Sequence, residues 1–120
     1  MRIRHMTPHD RDSASDLYAL CFGAAPSLRH RCIVVVEDDT VSGLITYRRG
    51  YPHGGHILHL AVHPDHRRRG VATTMIAAVC REVGGEVLVD CACDNVGARS
   101  MYAQICRRVW EDEGGLHYVI

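Results

Sequence analysis

The sequence predicts an α+β fold on a mixed sheet, with antiparallel hairpins first and a strand–helix–strand crossover after them. Three observations carry that expectation. Cys32-Ile33-Val34-Val35-Val36 is a β-branched run, and the turn chemistry of Glu37-Asp38-Asp39-Thr40 separates it from a second strand-like run, Val41 to Tyr47. Val71, Met75, Val79 and Val83 lie four apart, with Ala72, Ile76 and Cys80 alongside, which is the apolar face of a helix. Apolar runs flank that helix on both sides, so the chain crosses over between strands.

Taken in order, Arg2 to Met6 suits a short first strand. Thr7-Pro8-His9-Asp10 is a helix start, with Thr as cap, Pro in the first helical position and an acid in the first turn. Ala14, Leu17, Tyr18 and Cys21 then form one apolar stripe, and Gly23 ends the helix. Residues 24–30 contain Pro26 and leave room for at most a turn of helix. After the first hairpin, the three glycines and Pro52 of residues 48–55 predict a loop, and His56 to Val62 a fourth strand. Gly84-Gly85 stops the central helix, and Glu86 to Cys91 is the next strand. Asp94 or Asn95 can cap a third helix, which carries Ala98, Met101, Tyr102 and Ile105 on one side. Val109-Trp110 and His117 to Ile120 bracket Asp112-Glu113-Gly114-Gly115, a closing hairpin.

With 120 residues the chain is one domain, residues 1–120, large enough for a real core. Lys plus Arg balances Asp plus Glu, so general attraction to nucleic acid or to an anionic membrane is not expected. The six cysteines fall mostly within predicted helices and strands, where Cys behaves as a small apolar residue. No signal peptide is evident, and no apolar run approaches the roughly 20 residues that span a bilayer. Reduced thiols and a cytoplasmic location are therefore expected.

The stretch from Leu58 to Ala72 carries the functional expectation. An apolar strand is stopped by Pro64-Asp65, and a basic, Gly-containing turn leads into the central helix. The first turn of a helix has N–H groups without intrahelical partners, and these favour an anion. Gly70 allows a backbone conformation and a close approach that a side chain would forbid. Arg67, Arg68 and Arg69 add forked donors suited to phosphate. The ligand expected there is a phosphate or pyrophosphate.

Arg67-Arg68-Arg69-Gly70-Val71-Ala72 resembles the Arg/Gln-x-x-Gly-x-Gly/Ala signature of the GNAT superfamily of N-acetyltransferases. A second stretch, Asn95 to Arg107, is similar to the family's Asn-x-x-Ala-x-x-Leu-Tyr-x-x-x-Gly-Phe. Asn95, Ala98 and Tyr102 fit it, Met101 replaces Leu, and Cys106-Arg107 departs from Gly-Phe. The element order fits as well. It implies a mixed central sheet of about six to seven strands flanked by about three helices, with the family's second helix reduced to a remnant.

The resemblance implies an N-acetyltransferase that moves the acetyl group of acetyl-CoA, as co-substrate, to a primary amine of a small molecule or protein. Ala61 and Val62 would offer backbone groups to the pantetheine arm, as in strand addition. Arg67, Arg68, Arg69, Gly70, Val71 and Ala72 would hold the pyrophosphate. Asn95 would bond the arm or a phosphate, and Tyr102 would sit near the thioester sulfur as the acid. His56, six residues before Val62, stands where several family members place a Glu or His base. A short second helix would leave sheet surface uncovered near the acceptor site, which suggests a homodimer.

Other readings remain beside this one. His59 is a second candidate base, but its strand parity is opposite to that of His56, so the two face opposite ways unless a bulge intervenes. The same parity argues against a metal held by His53, His56 and His59, and Cys91-Ala92-Cys93 lacks a partner pair. Tyr102 also suits a core aromatic on an amphipathic helix. A non-catalytic acyl-CoA or phosphate-binding module would use the same loop without a working acid or base. A nucleic-acid-binding domain would need a wider basic face and more than the 6% aromatic content present.

Overall fold

A computed structural model describes residues 1–23, 31–50, 54–67, 70–91 and 96–120. The expected remnant helix at 24–30, and His53, Arg68, Arg69, Cys93, Asp94 and Asn95, lie outside the described residues. The strands are β1 (Arg2–His5), β2 (Arg31–Glu37), β3 (Thr40–Arg49), β4 (Gly55–Val62), β5 (Val87–Cys91), β6 (Arg108–Asp112) and β7 (Gly115–Val119). The helices are α1 (Arg11–Phe22), α2 (Val71–Val83) and α3 (Val96–Ile105). The seven strands form one sheet in the order β1-β2-β3-β4-β5-β7-β6, in which only β4 and β5 run parallel. The mixed sheet with its three helices is the architecture that the sequence predicts.

Each face of the sheet has its own core. On one, Ala14 and Leu17 of α1 pack with Cys32, Val34, Val36, Val41, Leu44 and Ala61. On the other, Val71, Met75, Ile76 and Val79 of α2 and Tyr102 of α3 pack with Ile33, Val35, Ile45, Tyr47, Ile57, Val87, Val89 and Tyr118. The β-branched run of β2 supplies both cores because alternate side chains face opposite ways.

The helix ends follow local chemistry, with one difference. Pro8–Asp10 form a 3₁₀ turn and α1 begins only at Arg11. Asp10 reaches back, its carboxylate accepting from the Thr7 N–H at 2.9 Å and the Thr7 hydroxyl at 3.0 Å. Gly23 and Gly84 close α1 and α2 in left-handed conformations, as expected. The hairpin of β3 and β4 is longer than predicted, because pairing continues through Arg48↔His56 and Arg49↔Gly55 into the stretch expected as loop. Gly43 lets α2 lie close on β3, since a Cβ there would stand 2.9 Å from Val71 Cγ1. At the far end of α2, Glu82 accepts from the Tyr47 hydroxyl and lies 2.9 Å from His5 Nε2. Burial, then that bond to Glu82, pushes the Tyr47 phenol well above its ordinary pKa, so it remains a donor.

Cys21, Cys32, Cys80 and Cys106 are free thiols. No helix among the described residues is long and apolar enough to cross a membrane.

Asp10 makes acid stability a test of the α1 anchor. Hydrogen bonds from Arg4 depress its pKa to about 2, against desolvation and with help from Thr7. A carboxylate depressed on folding contributes stability above its unfolded pKa of about 3.9 and loses it as pH falls through the folded value. Asp10→Asn is expected to lower stability at neutral pH by roughly 1–3 kcal/mol. It should also flatten the loss between pH 4 and about 2 in denaturant titrations. An unchanged acid limb in that variant would contradict the assignment.

Candidate active site

The site begins where β4 and β5 part. Their parallel pairing covers only Gly55↔Val87, His56↔Leu88 and Ile57↔Val89. Thr46 of β3 faces His59 while Tyr47 faces Ile57, so Leu58 is an extra, unpaired residue in β4. A bulge of this kind bends and twists its strand. Beyond it, β4 continues along β3, while Asp90 and Cys91 of β5 pair with β7. The gap is a cleft of about 1060 Å³ that reaches both faces of the sheet.

One wall is the free edge of β4. His63 donates its N–H to Ser42 O at 2.8 Å. Antiparallel pairs alternate between exchanging hydrogen bonds and turning them away. Ala61 therefore spends its backbone groups on β3, and Leu60 and Val62 present theirs to the cleft. The expectation of Ala61 and Val62 as a backbone pair shifts to Leu60 and Val62, because neighbouring residues in a strand point opposite ways. Ala61 still lines the cleft. The Val62 carbonyl accepts from Arg67 Nε at 3.1 Å, which ties the basic turn to the strand.

At one end of the cleft stands the N-terminus of α2. Gly70 caps it at φ +76°, a left-handed conformation that glycine adopts without strain. The first intrahelical bond runs from Thr74 N–H to Gly70 O at 2.9 Å. The N–H groups of Val71, Ala72 and Thr73 precede it and lack intrahelical partners. Gly70, Val71, Ala72 and Thr73 all line the cleft, with Arg67 beside them. The Val71 side chain is buried in the core, so only its backbone serves the site. Tyr102 lines the cleft from α3, next to Ala98, Met101 and Gln104, and its ring lies 5.4 Å from that of Tyr118.

The histidines come out differently from their parity in the sequence. The Leu58 bulge resets the alternation, and His59 lies on the α1 side, with ring centroids 5.1 Å from Tyr18 and 5.7 Å from Phe22. Its Nδ1 lies 2.8 Å from Thr46 Oγ1, and the residue lines the cleft. His56 is on that same side but is not part of the cleft lining. Its Nε2 is 3.0 Å from Asp90 Oδ2 and its Nδ1 3.3 Å from Arg48 Nη2. The expected base position is thus held between a carboxylate and a guanidinium, while His59 and His66 are the imidazoles that line the cleft, His66 with its Nδ1 2.6 Å from Glu37 Oε2. His53, the third member of the His53, His56 and His59 trio, lies outside the described residues, among which no group of three His, Cys, Asp or Glu is able to hold a metal ion.

Asp90 was not singled out by its local sequence. It lines the cleft and carries a chain of contacts across the sheet. Its Oδ1 is 2.6 Å from His117 Nδ1, and His117 Nε2 is 2.7 Å from Asp112 Oδ1. Hydrogen bonds to Asp90 and then Asp112 raise the His117 pKa, and the bond from His117 lowers that of Asp112. The Trp110 ring stacks on His117 at 5.3 Å.

Comparison with known proteins agrees with this geometry. The model of the Acetyltransferase (GNAT) family matches residues 3–106. No curated protein matches the chain. Among solved structures, an acetyltransferase from Thermus thermophilus is similar over 100% of this chain and 97% of its own, at 19% identity and TM-score 0.78. The PaiA N-acetyltransferase from Thermoplasma acidophilum, in complex with coenzyme A, is similar over 98% and 96%, at 13% identity and TM-score 0.79. Ard1 from Thermoplasma volcanium is similar over 98% and 93%, at 21% identity and TM-score 0.75. Sheet, cleft and family match agree, and the chain belongs to the GNAT family of acetyltransferases.

Proposed function

We propose that the protein transfers the acetyl group of acetyl-coenzyme A to a primary amine. The observation that carries this reading is that one cleft joins the α2 N-terminus, the free edge of β4 and two proton-carrying side chains on opposite faces of the sheet. The residues present fit the co-substrate. The N–H groups of Val71, Ala72 and Thr73, with Arg67, would hold the pyrophosphate. Leu60 and Val62 would pair with the amides of the pantetheine arm. Arg68, Arg69 and Asn95, outside the described residues, keep the roles that the family motifs imply.

Bound acetyl-coenzyme A supplies an activated acyl carbon and a thiolate leaving group. The Leu60 N–H, farther from the pyrophosphate turn than Val62 and next to His59, would polarise the thioester carbonyl from the strand edge. A free amine has a pKa of about 10.4 and must lose a proton to attack. His59 would accept that proton at the α1 side of the cleft, and Tyr102 would return one to the sulfur from the α3 side. His56 would act through Asp90 rather than on the amine. A non-catalytic binding module would bind the co-substrate without turnover.

Gly70→Glu should abolish acetyl-coenzyme A binding in calorimetry, because it places a strained, negatively charged side chain where a pyrophosphate would sit. An unchanged affinity in the folded variant would overturn the assignment.

His59→Ala and Tyr102→Phe should each slow single-turnover acetylation by roughly 10²–10⁴-fold. His56→Ala should slow it less. Loss of the His59 imidazole should also flatten the acidic limb of the pH–rate profile. Rates in both variants equal to the parent would show that the two side chains are structural. A larger loss in His56→Ala would return the base role to that residue.

The sequence places a homodimer on sheet left uncovered near the acceptor site; the edge strand β6, where Val109 and Trp110 are 52% and 41% exposed, is a second surface that a partner copy would cover. Light scattering at tens of micromolar should then give twice the chain mass of 13.4 kDa, and a monomer of 13.4 kDa would contradict it.

A further inference from the structure

We propose that the acceptor is a small primary amine with one positive charge and an aromatic body, selected by Phe22 and Asp90. This rests on the acetyltransferase reading and names the acceptor that the α1-side mouth of the cleft takes.

The two flanks of that mouth differ. On the β4 flank stand Phe22 and Cys21 of α1 beside His59. Phe22 is 45% exposed, yet its ring is not loose. It lies 4.7 Å from Tyr18 and 5.7 Å from His59, and Tyr18 lies 5.1 Å from His59. A single exposed aromatic on a surface is ordinary. This one belongs to three mutually packed rings and lines the cleft next to the proposed base. A flat apolar body would cover the Phe22 face and bring its amine towards His59, and the ring face would also attract an ammonium.

On the β5 flank stands Asp90. It is the one carboxylate among the described residues that line the cleft, and its side chain is 43% exposed. An ammonium group would be drawn to it. A polycation would not find enough charge there. Asp90 Oδ2 already meets His56, Oδ1 meets His117, and Arg48 stands behind His56. Contact with Asp90 and Asp112 favours the protonated form of His117. The flank therefore offers one carboxylate, partly neutralised and held in place from two sides. That suits a monoamine and counts against polyamines and lysine-rich peptides.

The test compares 2-phenylethylamine, butylamine, spermidine and a lysine-containing peptide as acceptors for the full chain with saturating acetyl-coenzyme A. Calorimetry of acetyl-coenzyme A binding runs in parallel. Pockets that recognise apolar groups discriminate by roughly 10–200-fold. The expected kcat/KM for 2-phenylethylamine is therefore at least about tenfold above that for butylamine and spermidine. Phe22→Ala should collapse the phenylethylamine-to-butylamine ratio towards one, and Asp90→Asn should raise KM for both monoamines by about tenfold or more. Preference for spermidine or the peptide overturns the proposal, as does an unchanged ratio in Phe22→Ala. If acetyl-coenzyme A binds but no monoamine is acetylated, the acceptor assignment fails and the co-substrate site stands. If acetyl-coenzyme A does not bind, the underlying reading fails with it.

Discussion

The site depends on one interruption in a hydrogen-bond ladder. Parallel pairing between β4 and β5 ends after Ile57↔Val89, and Leu58 has no partner in β3. Beyond that point Leu60 and Val62 have no strand to pair with on the cleft edge, where Arg67 already donates to the Val62 carbonyl, and the remaining backbone groups need partners. A cleft that admits water or an extended ligand supplies them. The same extra residue changes the phase of β4, so that Ile57, Leu60 and Val62 pack towards α2 while Ala61 packs with α1 and His59 lies against the α1 rings. One unpaired residue thus opens the cleft, exposes its polar edge and aims an imidazole at it.

Two sets of contacts hold the parted strands. On the α1 face, Arg48, His56, Asp90, His117 and Asp112 form a chain of polar contacts from β3 through β4, β5 and β7 to β6. His56 to Asp90 bridges β4 and β5 where the ladder is only three pairs long. On the other face, Val71 and Met75 of α2 sit over Gly43 of β3. Their close approach fixes the α2 N-terminus at the open end of the cleft. The cleft is therefore held by packing on one side and by charged groups on the other, which gives its two mouths different chemistry.

Much of the fold was legible because its signals are local. The β-branched run of β2, the four-residue spacing of Val71, Met75, Val79 and Val83, and the glycines at 23, 70 and 84 each act within a few residues. They place strands, helices and caps without knowledge of their neighbours. The anion-favouring turn at Gly70 was legible for the same reason. Asp90 was not, since nothing around it separates it from an ordinary surface residue on a strand. Leu60 could have been found by strand alternation counted back from Pro64, which leaves Val62 and Leu60 on one edge. The roles of Arg68, Arg69 and Asn95 rest on their motifs alone.

By itself, then, the sequence determined the order and type of the elements and the turn that faces an anion, because caps, periodicity and glycine conformations act over a few residues. Tertiary structure alone decided that β7 lies between β5 and β6, that β4 and β5 separate, and that His56 is held by Asp90 while His59 reaches the cleft. These outcomes depend on partners such as His56, Asp90 and His117, which are far apart in the chain. They also depend on a bulge that reverses strand parity, and a parity count from sequence has no means of seeing which residue will be left unpaired.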